Sequence, residues 1–315
     1  LLRKRGFCWQ AVAKSVTYPA RSHLSESFSN TPNLMVDDPA SIDVEQRELW
    51  NAQIADYWVG QKSALDELLA PLTDLLMDAA SLSGSEQVAD IGCGTGATAL
   101  RFASKVGVTG HVTGVDLSKK LICSAASAAH SAGVANVTFI EADAARFIFD
   151  TPQDLVISRN GVMFFGDLVG AFSNLRKGLR SGGQMLLAVW CTPEENEWYQ
   201  FPMRCAAKFT GVQPSEDYDA PGAFTLARES RVRDILTSAG FNDIDLTLHR
   251  PTLFVGSTAA AAAKLFMAMH SIQKLLRETD NALEERVWQH MLDDLKHYEQ
   301  NSGIYMNGVC WLISA

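Results

Sequence analysis

Residues 87–97 have the sequence QVADIGCGTGA, and this stretch decides the fold. Its first half, Gln87 to Ile91, has the length and the apolar character of a short strand. Three glycines follow at alternate positions, the last at Gly96, and a helical pattern then runs to Val106. Glycine permits backbone conformations and close approaches that a side chain forbids. The stretch therefore predicts a strand joined to a helix by a loop that can lie against a ligand.

The alternation of strand and helix continues along the chain. Strand patterns recur at 111–116, 136–140, 154–158, 184–190, 244–248 and 308–315. Such alternation predicts an α/β fold with a doubly wound, mainly parallel sheet and helices on both faces. Before the first strand, an apolar stripe runs from Leu65 to Leu76, and Pro71 within it predicts a kinked or split helix. A later stripe, from Leu265 through Met269 to Leu276, predicts one helix face.

Composition excludes several classes of protein. The 315 residues are 47% hydrophobic and 20% charged, which is an ordinary globular balance. We find no run of about 18 apolar residues, so no membrane-spanning helix is expected. The net charge of −9 disfavours a broad nucleic-acid-binding face. The 6 cysteines form no CxxC pair, which predicts reduced thiols, no disulfide framework and no zinc site.

The N-terminal extension, residues 1–38, is basic, rich in serine and poor in acids. It fits either an organellar transit segment or a solvated tail. Because Leu1 rather than Met begins the sequence, we interpret the start as truncated or processed. We expect an intracellular protein, in the mitochondrial matrix if the extension is a transit segment and otherwise in the cytoplasm. Residues 39–315 are predicted to form one domain, with 192–228 as a lid or substrate insertion.

The glycine loop has two interpretations as a ligand site. The spacing Gly92-x-Gly94-x-x-Ala97 fits a dinucleotide fingerprint, whereas Asp90-x-Gly92-x-Gly94-x-Gly96 fits a loop that binds S-adenosylmethionine. A carboxylate at Asp90 would repel a pyrophosphate but would attract the ammonium and sulfonium of S-adenosylmethionine. The charge therefore favours S-adenosylmethionine. A tight turn that binds no ligand is the third interpretation.

Acids follow the next two strands as well. Asp116 closes the second strand and can accept both hydroxyls of an adenosine ribose, although nicotinamide enzymes place an acid similarly. Asp143 follows the third strand and can accept the adenine amino group while the Ala144 amide faces the ring. Helix capping is the alternative for Asp143. Ser158 ends the fourth strand beside the expected reaction centre.

Residues 88–96, 115–118 and 141–144 resemble successive motifs of the class I S-adenosylmethionine-dependent methyltransferases. More narrowly, Trp50-Asn51 with Trp58, residues 158–165 and residues 175–183 resemble the type-11 methyltransferase-domain group, which includes ubiquinone/menaquinone-type small-molecule enzymes. The resemblance covers about residues 45–315, and Ser181 stands where the family usually has Pro. It implies a seven-stranded sheet of order 3-2-1-4-5-7-6 whose last strand is antiparallel. The predicted cofactor-binding residues are Asp90, Gly92, Cys93, Gly94, Asp116, Leu117, Asp143, Ala144, Ser158 and Trp58.

The resemblance also predicts where the acceptor lies. Tyr57 and Trp58 belong to the leading helix that closes over the methionine end of the cofactor, or else they simply pack against the sheet. Aromatic residues after the fourth and fifth strands line an apolar acceptor pocket or contribute to the core. These residues are Met163, Phe164, Phe165, Trp190, Trp198 and Tyr199.

The fourth-strand motif, Ser158-Arg159-Asn160-Gly161, is not the Asn/Asp-Pro-Pro-Tyr type used for amide or exocyclic amine methylation. We therefore favour O- or C-methylation of a small molecule. Arg159 suits an acidic acceptor, the cofactor carboxylate or a salt bridge at the end of the sheet. The candidate bases His249, His270, Glu194 and Glu195 each have a structural alternative, so no catalytic residue is assigned.

Three function classes remain open from the sequence. The first is an S-adenosylmethionine-dependent methyltransferase with a small-molecule acceptor, no nucleic-acid partner and no metal. The second is a non-catalytic methyltransferase-like scaffold or organellar assembly factor. The third is a nicotinamide-dependent oxidoreductase. The complete glycine loop and Asp116 favour the first, because a degenerate scaffold is expected to lose them.

Overall fold

The computed structural model describes residues 46–212, 218, 220–277 and 279–315. The predicted N-terminal extension, 1–38, lies outside the described residues. Within the described ranges, no helix is both long and apolar enough to cross a membrane.

A seven-stranded sheet forms the centre of the molecule, in the order β3-β2-β1-β4-β5-β10-β6. Neighbouring strands run parallel except β10, which is antiparallel to both β5 and β6. This Rossmann-like order, with an antiparallel last strand, confirms the prediction. The strands are β1 (Gln87–Ile91), β2 (His111–Asp116), β3 (Val137–Glu141), β4 (Gln153–Arg159), β5 (Leu179–Trp190), β6 (Asp245–His249) and β10 (Cys310–Ser314).

Helices connect these strands and cover both faces of the sheet. Local signals fix their ends: the Ser118 hydroxyl caps α5, which ends at Gly133 in the left-handed region, and Asp167 caps α6. The helices of this layer are α4 (Ala97–Lys105), α5 (Lys119–Ala132), α6 (Leu168–Gly178), α7 (Glu197–Thr210) and α8 (Glu229–Ser238).

Three short helices precede the sheet: α1 (Gln53–Gly60), α2 (Lys62–Leu68) and α3 (Ala70–Ala79). Residues 46–51 are also helical. Pro71 lies in the first turn of α3, where its missing N–H costs nothing. The helix is therefore split at Leu69, as the sequence predicts.

A second, smaller unit is inserted between β6 and β10. Its three-stranded sheet has the order β7-β9-β8 and is antiparallel. Its elements are β7 (Thr252–Gly256), α9 (Ala259–Met267), α10 (His270–Leu276), α11 (Asn281–Leu295), β8 (Glu299–Gln300) and β9 (Gly303–Asn307). Sequence patterns did not reveal this sheet. The continuous helix face predicted from Leu265 to Leu276 is wrong, because Met269 is extended and separates α9 from α10.

Buried Asn196 joins this insertion to the main sheet. Its amide donates to the carbonyl oxygens of Cys191, Thr192 and Val309 at 3.3, 3.0 and 3.1 Å. Its oxygen accepts from Trp198 Nε1 at 3.0 Å and from the Val309 amide at 2.9 Å. One side chain thus fixes the start of α7 to the segment that enters β10.

Candidate cofactor site

The carboxyl edge of β1 to β4 carries nine of the ten predicted cofactor residues, and α1 carries the tenth, Trp58. Parallel strands deliver the residues that follow them to one edge of a sheet. Only some of these residues make hydrogen bonds to the glycine loop or to the end of a neighbouring strand. Asp116 contacts the glycine loop and Ser158 contacts the end of β1, whereas Asp143 bonds within its own turn.

Asp90 lies near the end of β1 and is only 1% exposed. Its Oδ2 atom has no hydrogen-bond partner among the described residues. Burial raises the pKa of Asp90 to about 7; the charge of Arg159 opposes this rise and that of Asp116 adds to it. A buried carboxyl with an unpaired oxygen is costly alone, so a bound cation would stabilise its ionised form.

Gly92 and Gly94 give the loop after β1 its shape. Both have positive φ, at +66° and +56°. A Cβ on Gly92 would lie 2.6 Å from Gly161 Cα, so the loops after β1 and β4 touch backbone to backbone. A Cβ on Gly94 would meet nothing within 4 Å, so the backbone there faces open space. This role of Gly161 was not predicted from the sequence, in which the signal is a glycine two residues after β4.

Asp116, the last residue of β2, holds this loop in place. Its two oxygens accept hydrogen bonds of 2.9 Å from the amides of Gly94 and Ser118. Burial raises the pKa of Asp116, and these amide bonds oppose the rise. Each carboxylate oxygen has a further lone pair, so the ribose role predicted for Asp116 is compatible with the geometry. Leu117 follows Asp116, and Cys93 is a buried thiol whose pKa is raised by burial and by the charges of Asp116 and Asp90.

Asp143 and Ala144 lie in the turn after β3. The Asp143 carboxylate accepts the Ala145 amide at 3.0 Å and forms an ion pair with Arg146. The Ala142 amide donates to the Asp116 carbonyl oxygen at 3.0 Å, which brings this turn beside the end of β2. No helix begins at Asp143, so the helix-capping alternative is not realised there; its carboxylate bonds within its own turn, and its adenine contact stays a prediction.

Ser158 is fully buried near the end of β4. Its hydroxyl donates to the Ile91 carbonyl oxygen at 2.7 Å and accepts from the Gly161 amide at 3.1 Å. These bonds tie the ends of β1 and β4 together. Ser158 therefore supports the glycine loop directly, and a contact from Ser158 to the cofactor stays a prediction.

The leading helical segment bridges the loops after β2 and β4. The Asn51 amide donates to the Leu117 carbonyl oxygen at 3.4 Å, and its oxygen accepts from the Lys119 amide at 3.2 Å. On the other side, the Trp50 ring packs edge-on against Phe164 with centroids 4.9 Å apart. Trp50 also lies 6.4 Å from Trp58. This bridge spans the end of β1, where the sequence predicts a lid.

Arg159 and Asn160 anchor the end of β4. Arg159 Nη1 donates to the buried Thr73 hydroxyl on α3 at 2.9 Å, and burial lowers the pKa of Arg159 against the charges of Asp66 and Asp90. Asn160 has a φ of 59°, and its amide lies between the Ala188 carbonyl oxygen and Trp190 Nε1. Of the three roles predicted for Arg159, the geometry favours electrostatic pairing at the end of the sheet. Thr73 was not predicted, because helix α3 meets β4 only in the fold.

The aromatic residues after β5 belong mainly to the core. Trp190 and Trp198 have ring centroids 4.9 Å apart, and Tyr199 packs edge-on against Phe224 at 4.8 Å. All four side chains are less than 10% exposed. They therefore contribute to the core, and a contact between any of them and an acceptor stays a prediction.

None of the four candidate bases is bonded to the glycine loop among the described contacts. Tyr218 donates to Glu194, and this bond lowers the pKa of Glu194 although burial opposes it. Glu195 accepts from Thr192 Oγ1 at 3.2 Å. His249 ends β6, four strand positions from β1, which is about 19 Å across the sheet. His270 begins α10, and burial together with Lys274 and Arg277 lowers its pKa.

The residues at this edge fit S-adenosylmethionine better than a dinucleotide. A bound cation would stabilise the ionised form of Asp90, whose Oδ2 has no hydrogen-bond partner among the described residues, and the open backbone at Gly94 leaves room for a ligand against the loop. Gly96, the residue before α4, has no side chain to cap the helix, and the Ala99 amide in its first turn faces the Asp90 carboxyl, so a pyrophosphate bound there would meet that carboxyl. The charge at the end of β1 therefore decides between the two interpretations.

Comparison with known proteins agrees with this geometry. Residues 88–183 match a family model described as a methyltransferase domain. Aklanonic acid methyltransferase from Streptomyces sp. (strain C5) is 34% identical over 120 residues, which are 38% of this chain and 54% of that protein. Nocamycin O-methyltransferase from Saccharothrix syringae is 26% identical over 208 residues, which are 59% of this chain and 71% of that protein.

The chain thus spans about half the length of the first of these relatives. Among solved structures, the YcgJ protein of Bacillus subtilis superposes with a TM-score of 0.51 at 20% identity, over 78% of this chain and 97% of that one. That likeness shows a shared fold. Residues 88–183 thus match a methyltransferase domain, and the strand order and the glycine loop are those expected from the resemblance to the class I S-adenosylmethionine-dependent methyltransferases.

Proposed function

We propose that this chain binds S-adenosylmethionine at the carboxyl edge of β1 and β2 and methylates an oxygen or carbon of a small molecule. The observation that carries the proposal is the buried Asp90 carboxyl, whose Oδ2 has no hydrogen-bond partner among the described residues, together with the open backbone at Gly94. When bound, S-adenosylmethionine supplies a methyl group activated by its sulfonium. Asp116 is proposed to bind the ribose, and Asp143 with Ala144 the adenine.

The chain's own task is to position the acceptor and exclude water. The bridge from Asn51 to Leu117 and from Trp50 to Phe164 supports a lid over the end of β1. Residues 192–228 are proposed to cover the acceptor side. The Gly222 amide donates to the Met163 carbonyl oxygen at 3.2 Å, so this segment reaches the turn after β4.

The acceptor is proposed to be acidic. No candidate base is bonded near the loop among the described contacts, and a carboxylate, an acidic phenol or an enol gives up its proton without a protein base. Two relatives support a small-molecule acceptor by their names, aklanonic acid methyltransferase and nocamycin O-methyltransferase.

The direct test is methyl transfer from labelled S-adenosylmethionine to separate pools of quinols, phenols, fatty acyl compounds and amines. We expect label on oxygen or carbon, with S-adenosylhomocysteine formed in equal amount. Label confined to amines would overturn the predicted acceptor atom. Tight binding of S-adenosylmethionine with no transfer to any pool would favour the scaffold interpretation. Binding of a nicotinamide dinucleotide instead would favour the oxidoreductase.

A further inference from the structure

A second group of reactive side chains lies away from the cofactor edge, between α7 and α11. Cys205 Sγ, His290 Nε2 and an Asp294 carboxylate oxygen all lie within 4.8 Å of one another. His290 and Asp294 are one helical turn apart, with Nε2 and Oδ2 separated by 3.5 Å. The three residues line a surface cleft of about 410 Å³ that contains none of the predicted cofactor residues.

These donors suit a borderline-soft divalent metal. Thiolate, imidazole and carboxylate are the ligands that zinc takes in proteins, at about 2.3, 2.0 and 2.1 Å. In a tetrahedral site these bond lengths place neighbouring ligand atoms about 3.3–3.6 Å apart. The His290 and Asp294 atoms already have that separation, and the Cys205 thiol needs to approach by about 1 Å at most, which rotation of a side chain supplies.

A cation already faces these ligands. Lys208 Nζ lies 3.3 Å from His290 Nε2. An ammonium can only donate, so this contact requires the tautomer in which Nε2 carries the lone pair that a metal needs. Lys208 is exposed and can swing out. Arg204, the neighbouring cation, is held by Glu197 at 2.7 Å and does not block the ligands.

We propose that Cys205, His290 and Asp294 bind one zinc ion, with water in the remaining position. The thiol proton of Cys205 leaves to solvent as the metal–sulfur bond forms, and the Lys208 ammonium is displaced. Because α11 belongs to the unit inserted between β6 and β10, the metal would fasten that unit to α7. This proposal is independent of methyl transfer, and it departs from the sequence-based expectation of no zinc site.

The test is cobalt(II) titration of the full chain after removal of metals with EDTA, followed by competition with zinc alone. We expect one equivalent of cobalt to give a thiolate-to-cobalt charge-transfer band that zinc abolishes, and zinc to raise the melting temperature. Cys205→Ser should lose the band. Asp294→Asn, at a partly exposed position where folding is safe, should weaken zinc binding by about tenfold or more.

Two variants serve as controls. His297→Gln changes the same cleft at a residue whose Nδ1 contacts the backbone carbonyl oxygen of Asp294 and not its carboxylate, and it should leave zinc affinity unchanged. Lys208→Gln removes the competing cation and should tighten zinc binding. Absence of the band in the wild type overturns the proposal. Persistence of the band in Cys205→Ser also overturns it, since another thiol, such as exposed Cys123, would then be the ligand.

Discussion

The two regions that carry reactive side chains are assembled differently. At the cofactor edge, successive strands each end in the residues that matter, so Asp90, Asp116, Asp143 and Ser158 appear in chain order. In the cleft between α7 and α11, Cys205 meets His290 and Asp294 across more than 80 residues of sequence. The first site depends on one sheet edge, and the second depends on how an inserted unit docks.

Because of this difference, the two regions should tolerate different substitutions. At the cofactor edge, the Gly92 backbone touches the Gly161 backbone and the Gly94 amide donates to the Asp116 carboxylate, and few substitutions can replace either contact. At the junction of the inserted unit, the Asn196 side chain bonds to both the amide and the carbonyl oxygen of Val309. Changes at the edge should therefore affect ligand binding, whereas changes at the junction should affect stability.

The largest effect is expected for Asp116→Ala. It removes the acceptor for the Gly94 and Ser118 amides and for both ribose hydroxyls, and each charge-assisted bond is worth roughly 1.5–3 kcal/mol. Affinity for S-adenosylmethionine should fall by at least about a hundredfold in calorimetry. Asp245→Ala, at the start of β6, is the matched control and should bind normally. Unchanged affinity in Asp116→Ala would refute the ribose assignment.

Asn196→Ala should affect the other region. It removes the acceptor of the buried Val309 amide and of Trp198 Nε1, at a cost of about 1–3 kcal/mol for each group that water cannot reach. Chemical denaturation should show a lower free energy of unfolding, while the folded variant keeps its affinity for S-adenosylmethionine. Exposed Asn281→Ala should change neither quantity. A loss of affinity at full stability in Asn196→Ala would contradict the separation of the two regions.

The affinity for S-adenosylmethionine should depend on pH because of Asp90. With a pKa of about 7 in the free protein, the carboxyl is ionised at pH 8 and mostly protonated at pH 6. A cation binds the ionised form, so affinity should fall on acidification, by up to about tenfold per pH unit below 7. Asp90→Asn should bind about tenfold more weakly at pH 8 and lose most of this dependence. Calorimetry across pH 6–8 measures both effects, with exposed Asp74→Asn as the control.

Ionisation of Asp90, which should favour cofactor binding, should lower the stability of the free protein. The pKa of Asp90 is raised above its ordinary value, so the folded state holds this proton more tightly than the unfolded chain does. Ionising the buried carboxyl therefore destabilises the fold above pH 7, and the penalty is relieved as pH falls below 7. Asp90→Asn should accordingly melt at a higher temperature than the wild type at pH 8. A lower melting temperature would show that the ionised carboxyl has a stabilising partner.

The smallest effect is expected at the lid. Asn51→Ala removes two long hydrogen bonds to the loop after β2, at 3.4 and 3.2 Å, each worth about 1 kcal/mol or less. We expect the KM for S-adenosylmethionine to rise about threefold and kcat to change little. Glu48→Ala, exposed on the same helical segment, is the control. An equal rise in both variants would show that the segment does not act as a lid.

Sequence predicts which residues meet at this sheet edge for a physical reason, and their contacts with a cofactor stay predictions. In a parallel sheet, every strand carries its next residues to the same edge, so order along the chain becomes proximity in space. Contacts between separate elements could not be predicted from the sequence. They include the contact of Arg159 with Thr73, the contact of Gly92 with Gly161, and the hydrogen bonds of Asn196. For the β7-β9-β8 sheet, the strands are short and pair across intervening helices, so no contiguous pattern marks them.

The same limit explains the proposed metal cleft. The spacing of His290 and Asp294 is visible on a helix, but the third ligand, Cys205, comes from a helix on the far side of β6 in sequence. The absence of a CxxC pair therefore does not exclude a zinc site whose ligands come from separate helices.

A crystal structure of the full chain with S-adenosylhomocysteine would test the cofactor site most directly. We expect the ribose within hydrogen-bonding distance of Asp116, the amino group facing Asp90, and backbone contact at Gly94. A nucleoside bound elsewhere, or side chains filling the space beside Gly94, would contradict it.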